Sequence, residues 1–297
     1  MNRTFLIVSA LLAVNAGTVS AGPITTSTAL PVHEGQLIVR AQAKLLRSTG
    51  DPGPRDRELT VWSVPTLAIY GITERLAVFG VFPYVDKALD VTTSGRRVRR
   101  GDDGLGDITF LGRYSLWQRD LPGETFRLAP FLGVEVPTGA DDARDSLGPL
   151  PHALQIGSGS WDPSFGATLT WQTLSWELDT SAAYKVNTPA NDFEFGDVAR
   201  FDLSFQYRLL PFEIGEGVPA LLYAVAESNL VWADRSEDGD ATDTNSGGTT
   251  WFLAPGLQYI TKRVIAEAAI QLPAVQKLNG EALETDFILT FGFRANF

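Results

Sequence analysis

Cysteine is absent from the 297-residue sequence, methionine occurs once, and histidine is found only at His33 and His152. Without thiols there is no disulfide framework, so burial and hydrogen bonding must carry the fold. Two distant histidines and no cysteine leave no ligand set for a transition-metal centre, and no cofactor is expected. Basic residues are in deficit, 24 against 35 acidic, and the formal charge of −11 excludes nucleic acid as a partner. Beyond residue 21 no apolar run approaches the roughly 20 residues that a membrane-spanning helix needs. None of this argues against lipid. A β-barrel meets a membrane through an apolar outer band, not through its net charge.

The first 21 residues, MNRTFLIVSALLAVNAGTVSA, differ from the rest. A basic residue, Arg3, precedes an apolar run from Phe5 to Val14, and Val19 and Ala21 stand where a signal peptidase would read. The pattern is that of a secretory signal cleaved near Ala21, too short for an anchor. The mature chain is expected to begin near Gly22 and to leave the cytoplasm. Aromatics at 10% and 28 glycines suit a β-protein with many tight turns.

Alternation of apolar and polar residues recurs from about Gln36 onward. In LSWELDTSAAYKV, Leu174, Trp176, Leu178, Thr180, Ala182, Tyr184 and Val186 form one face, and Glu177, Asp179 and Lys185 fall on the other. RFDLSFQYRL sets Phe201, Leu203, Phe205, Tyr207 and Leu209 against Arg200, Asp202 and Arg208; QLIVRAQAKLL sets Leu37, Val39, Ala41, Ala43 and Leu45 against Arg40, Gln42 and Lys44. A period of two over ten or more residues signals strands, not helices. Their length, roughly ten to thirteen residues, is that of tilted membrane-crossing strands and about twice that of sandwich strands.

Twelve such segments are predicted, near 36–46, 58–70, 75–86, 105–117, 125–137, 160–171, 174–186, 198–210, 219–233, 249–260, 263–273 and 285–297. The links between them alternate. RSTGDPGPRDR, KALDVTTSGRRVRRGDDG, residues 138–159, NTPANDFEFGD, RSEDGDATDTNSGG and AVQKLNGEAL are mostly long; GITE, QRDLPGE, QT, PFEIGEGVP and TK are mostly short. Outer-membrane barrels sort their loops this way. The expected organisation is a signal at 1–21, an extended periplasmic lead-in at 22–35 with no separate plug, and a closed, all-β, antiparallel transmembrane β-barrel at 36–297. Both termini are expected to be periplasmic.

The final strand, FILTFGFRANF, closes that barrel against the first. Its apolar set faces lipid, with Thr290, Arg294 and Asn296 inside. A terminal Phe297 on such a strand resembles the signal by which the barrel-assembly machinery recognises its clients. Charged side chains facing hydrocarbon cost about 2–4 kcal/mol each at the midplane. Parity therefore turns the charges inward and makes them lumen-lining candidates. The basic ones are Arg40, Lys44, Arg113, Lys185, Arg200, Arg208 and Arg294; the acidic ones are Asp107, Glu135, Glu177, Asp179, Asp202 and Glu267. Seven against six suggests a paired network as readily as a selective pore.

Three stretches go beyond a generic barrel: GLGDITFLGRYSL from Gly104, PFLGVEVPTG from Pro130, and LQIGSGSWDPSFG from Leu154. In this order and spacing they resemble the outer-membrane, transporter-like proteins of the meta-pathway phenol-degradation family. That resemblance implies a channel for small molecules, aromatic ones included. Physically, Gly104 and Gly106 allow a bulge, Pro137 suits a strand end, and Gly157 and Gly159 mark a re-entry into the wall, so all three stretches read first as strand terminators at the rim.

Other features are weaker. His33 and His152 lie outside the strands and match no catalytic motif, so no catalytic residue is assigned. Asp234 to Asn245 could hold Ca²⁺ loosely, but its spacing fits no EF-hand loop and it reads as a solvated acidic loop. Arg96, Arg97, Arg99 and Arg100 could meet lipopolysaccharide phosphates. Trp161, Phe193, Phe195 and Trp232 are placed either for an apolar pocket near the outer rim or for an aromatic girdle. The expected partners are outer-membrane lipid, lipopolysaccharide, the assembly machinery and a small-molecule solute. The reading is an outer-membrane passive channel; a plugged structural or surface-interaction barrel and a rim-active hydrolase are the alternatives.

Overall fold

The computed structural model describes residues 22–211 and 220–297. The signal segment 1–21 and the link 212–219 lie outside the described residues. Twelve long strands form the wall. The first six are β1 (Leu37–Ser48), β2 (Glu58–Gly71), β3 (Leu76–Thr93), β4 (Ile108–Tyr114), β5 (Glu124–Val136) and β6 (Asp162–Thr173). The others are β7 (Trp176–Lys185), β8 (Val198–Leu210), β9 (Ala220–Ala233), β10 (Gly248–Thr261), β11 (Val264–Leu278) and β12 (Phe287–Asn296).

Each strand pairs antiparallel with its neighbours in sequence, and β12 returns to β1 in the register Val39↔Ala295, Ala41↔Phe293 and Ala43↔Phe291. The backbone of Phe297 completes the seam by donating to Leu37 O at 2.8 Å. Among the described residues the wall has no open edge, as a sheet in hydrocarbon requires. Among the described residues the one helical element is a short 3₁₀ turn, His152–Leu154.

Orientation follows the alternation. Leu132 is 71% exposed and Phe291 60%, whereas Glu177 is 1% and Asp179 0% exposed. Carboxylates inside and large apolar groups outside is the inverse of a water-soluble domain, and only lipid fits that outer face.

Two expectations are corrected. The stretch after β3 is not an irregular loop. Strand β3 continues to Thr93 and pairs with Arg96–Leu105 in a hairpin turned by Ser94 (φ 51°) and Gly95 (φ 74°), a two-residue turn that matches strand twist. Polar alternation hid this hairpin, because above the wall neither face of a strand needs to be apolar. Likewise Glu237–Asp238 pairs with Ala241–Thr242 and with Phe193–Glu194, giving the acidic stretch a small sheet of its own.

The second correction is larger. Residues 22–32 are not a lead-in outside the wall but run through the barrel interior, where Ile24 is 1%, Ala29 0% and Val32 5% exposed. An extended segment has unpaired backbone N–H and C=O groups, and the inward charges supply partners for them.

On the loop side, Asp51 accepts from Arg57 Nη2 at 2.6 Å, Arg57 N at 2.7 Å and Gly53 N at 2.9 Å. The Arg57 guanidinium holds this carboxyl well below the ordinary aspartate range, at about 2. A depressed value means the clasp contributes fully above the unfolded pKa and is lost as pH falls through the folded one. Exchange of the Gly53 and Arg57 amide protons, measured relative to free-peptide rates, is therefore expected to stay slow near pH 4 and to accelerate only as pH approaches 2. Early opening near pH 4 would show that the clasp does not hold the loop.

Candidate functional site: the barrel interior

The interior is divided by the segment 22–32. On the β6–β11 side it is anchored by polar groups. Glu227 accepts from Ile24 N at 2.8 Å and Thr25 N at 2.9 Å, Thr26 donates to Asp202 at 3.1 Å, and Ala29 N donates to Thr170 Oγ1 at 2.7 Å. Arginines and amides take the carbonyls. Arg40 reaches Ile24 O at 2.9 Å, Arg200 reaches Thr25 O at 2.9 Å, Gln258 reaches Gly22 O at 2.6 Å, and Arg113 binds Thr28 O and, at 2.7 Å, Leu30 O. Carboxylates meet N–H groups and guanidinium groups meet carbonyls, so a mixed charge set is what threading a backbone through a barrel demands. Ile24 packs against Val225 and Ala269, and Gly256 leaves the room it needs: a Cβ there would stand 2.7 Å from Ile24 Cδ1.

The structure brings the predicted charges into separate groups. Arg40, Gln42 and Glu267 form one, with Arg40 Nη2 2.6 Å from Glu267 Oε1. Asp179 accepts from Thr170 and Gln206, and Glu177 accepts from Gln172 at 2.5 Å. Arg200 pairs with Asp202 at 2.7 Å on the same face of β8. Lys185 bridges Glu135 at 2.6 Å and Asp162 at 3.2 Å. Arg208 is buried. Lys44 sits between Thr290 and Ser63 across the β12–β1–β2 seam, and Arg294 lines an apolar cavity beside the threaded segment. Sequence reading missed Glu227, which lies in ALLYAVAESNLVWA, where both parities are largely apolar.

Asp107 has a different role. Its carboxylate accepts from Thr138 N at 2.9 Å, Gly139 N at 2.8 Å, Ser158 N at 2.7 Å and Ser158 Oγ at 2.9 Å. These donors belong to the other two motif stretches, so the Gly-Asp, Pro-Thr-Gly and Gly-Ser-Gly sequences meet at one carboxylate. The backbones of Gly139 and Gly157 pass so closely that a Cβ on Gly139 would lie 2.8 Å from Gly157 Cα. Asp107→Ala should cost about 2–4 kcal/mol, since three backbone donors lose a charged acceptor. Urea unfolding of the folded barrel, followed by its heat-modifiable gel shift, checks this. A midpoint unchanged from wild type would show that water replaces the carboxylate without cost.

The β1–β5 side is apolar. Leu67, Ile69, Phe79, Val81, Leu111 and Phe131 point inward and, with the segment 23–33, bound a cavity of about 320 Å³. Arg40, Arg113 and Arg294 also line it, and the Arg113 guanidinium stands 4.9 Å from the Phe79 ring centroid. These apolar residues were not singled out from the sequence, because β2–β5 carry apolar residues on both parities and alternation cannot say which set faces inward. That two-sided pattern was itself the usable signal.

A second, polar cavity of about 380 Å³ lies toward the loops, lined by Lys87, Asp107, Glu135, Asp162, Lys185 and Phe195 among others. Phe195 packs edge-on to Phe193, which stacks on His152 at 4.0 Å. Trp161 and Trp232 remain exposed and line neither cavity. His33 is an exposed partner of Glu74 at 3.6 Å.

The crystal structure of the COG4313 outer membrane channel from Pseudomonas putida F1 superposes with a TM-score of 0.70 at 12% identity, covering 93% of this chain and 100% of that one. At that identity the likeness is one of fold. The β domain of the Bordetella autotransporter BrkA scores 0.47 at 12% identity over 89% of this chain and 100% of its own. The CymD monoaromatic hydrocarbon channel scores 0.41 at 11% identity, over 90% of this chain and 89% of its own. No curated protein sequence matches the chain. Residues 57–272 match the family model described as "Putative MetA-pathway of phenol degradation". This stretch contains all three motif segments and most of the wall, and the chain belongs to that family.

Proposed function

We propose that the protein is a passive outer-membrane channel for small molecules with compact apolar bodies, aromatic ones among them. The observation that carries this reading is the apolar cavity running beside the threaded segment inside a closed barrel. An apolar wall gives a polar solute no partners, so a sugar or peptide would lose its hydration there, while a ring would not. Its volume is at the lower end of small-molecule pockets. The family's association with phenol degradation points in the same direction. In this reading residues 1–21 are removed as a signal and both termini face the periplasm. Phe297 guides assembly, and Arg96 and Arg99, exposed on the long hairpin, meet lipopolysaccharide phosphates.

Neutral aromatics cross plain phospholipid unaided, so the test needs a lipopolysaccharide-bearing membrane. Cells expressing the protein should take up a labelled monoaromatic faster than vector controls, with no gain for a disaccharide, and the purified protein should give single-channel steps in planar bilayers. The hydrogen-bonded segment in the lumen favours a second reading, a plugged barrel whose loops do the work. Absence of both uptake and conductance steps would decide for it.

A further inference from the structure

The charge on the cavity wall is one-sided. Arg40, Arg113 and Arg294 line it, His33 lies at one end, and no Asp or Glu is among its lining residues. The polar cavity toward the loops is different, since there Lys87 and Lys185 stand against Asp107, Glu135, Asp162 and Asp234. Arg40 is balanced by Glu267 at 2.6 Å. Arg113 makes no such contact, and Asp179 acts on it only from a longer range. It is 5% exposed, its bonds to the threaded segment end on the uncharged acceptors Ser27 Oγ, Thr28 O and Leu30 O, and among the described residues no carboxylate forms an ion pair with it within 4 Å. A positive charge held in a largely apolar cavity acts through a low dielectric and favours an anion far more than it would in water.

From this one-sided wall we infer that the cavity binds monoaromatic carboxylates. The ring lies among Leu67, Val81, Leu111 and Phe131 and the carboxylate sits at Arg113. The inference deepens the channel reading by naming the charge of the cargo. Size agrees with it: an apolar cavity of about 150 Å³ holds benzene, so about 320 Å³ accommodates one substituted ring. Phe79 supplies the orientation, because the guanidinium already lies 4.9 Å from its ring centre and a guest ring packed beside Phe79 brings its substituent to Arg113.

Calorimetry on the detergent-solubilised full chain, against micelle blanks, compares three rings of similar size: benzoate, benzyl alcohol and benzylammonium. Benzoate is expected to bind at least tenfold more tightly than either. Arg113→Gln removes the charge from the cavity and should bring benzoate down to the affinity of benzyl alcohol. Equal affinities, tighter benzylammonium, or no binding of any ring in the native protein would overturn the inference. The native comparison decides even if the variant fails to assemble. Single-channel recording of the same preparation keeps the two readings apart: steps with equal ring affinities remove only the anion assignment, and benzoate binding without steps removes only the channel.

Discussion

Removing Ile24 to Pro31 is expected to raise single-channel conductance several-fold. These residues hold the middle of the lumen. Their backbone occupies the acceptors and donors of Glu227, Thr170, Arg40, Arg200 and Arg113, which would otherwise face water. With the segment gone those groups are hydrated instead, and a water-filled path replaces the hydrogen-bonded one. The wall itself should survive, since all twelve strand pairings are made without the segment.

Planar-bilayer recording measures the change directly. A reversible version uses the absence of native cysteine. Thr28 Oγ1 and Thr170 Oγ1 are 3.0 Å apart, close enough for the cysteine pair T28C/T170C to close a bond of about 2.05 Å. Oxidation should pin the segment to the wall and lower conductance, and reduction should restore it. If deletion leaves conductance at the wild-type level, the segment does not limit flow and the path lies elsewhere.

Glu227→Ala should be the most damaging single change in the interior, at about 3–5 kcal/mol, the usual cost of leaving a buried charged network with one member missing. Its carboxylate serves Ile24 N, Thr25 N and Ser204 Oγ, the last at 2.7 Å, so three donors are orphaned at once. The change should appear as a lower urea midpoint and as new protease sensitivity confined to residues 22–35. Glu227→Gln keeps one acceptor and should recover part of the loss. A variant with native stability and a still-protected segment would mean that the anchoring lies with Arg40, Arg113 and Arg200 instead.

The rim shows how far motifs can be read from sequence. Gly-Asp, Pro-Thr-Gly and Gly-Ser-Gly announce turns, and turns they are, but nothing in their spacing says that Thr138, Gly139 and Ser158 all donate to Asp107. The inward charges were legible for a simple reason: a charged side chain on a membrane strand has one inexpensive direction. Which charges pair was not legible, because Lys185 meets Glu135 across 50 residues and Arg40 meets Glu267 across 227.

By itself the sequence determined the wall. Side chains on a strand point to alternate faces, so twelve strand-length stretches, many of them alternating, sealed by a last strand on the first, define a barrel and its lipid face. The tertiary structure alone decided what fills the barrel. Where β2–β5 are apolar on both faces, parity is silent, and only closure of the ring shows that Phe79, Leu111 and Phe131 look inward. The segment 22–32 has no period to read at all. Its course is set by hydrogen bonds to residues scattered along the chain, from Arg40 and Arg113 to Thr170 and Glu227, because the backbone groups of an extended chain must find partners wherever the finished barrel supplies them.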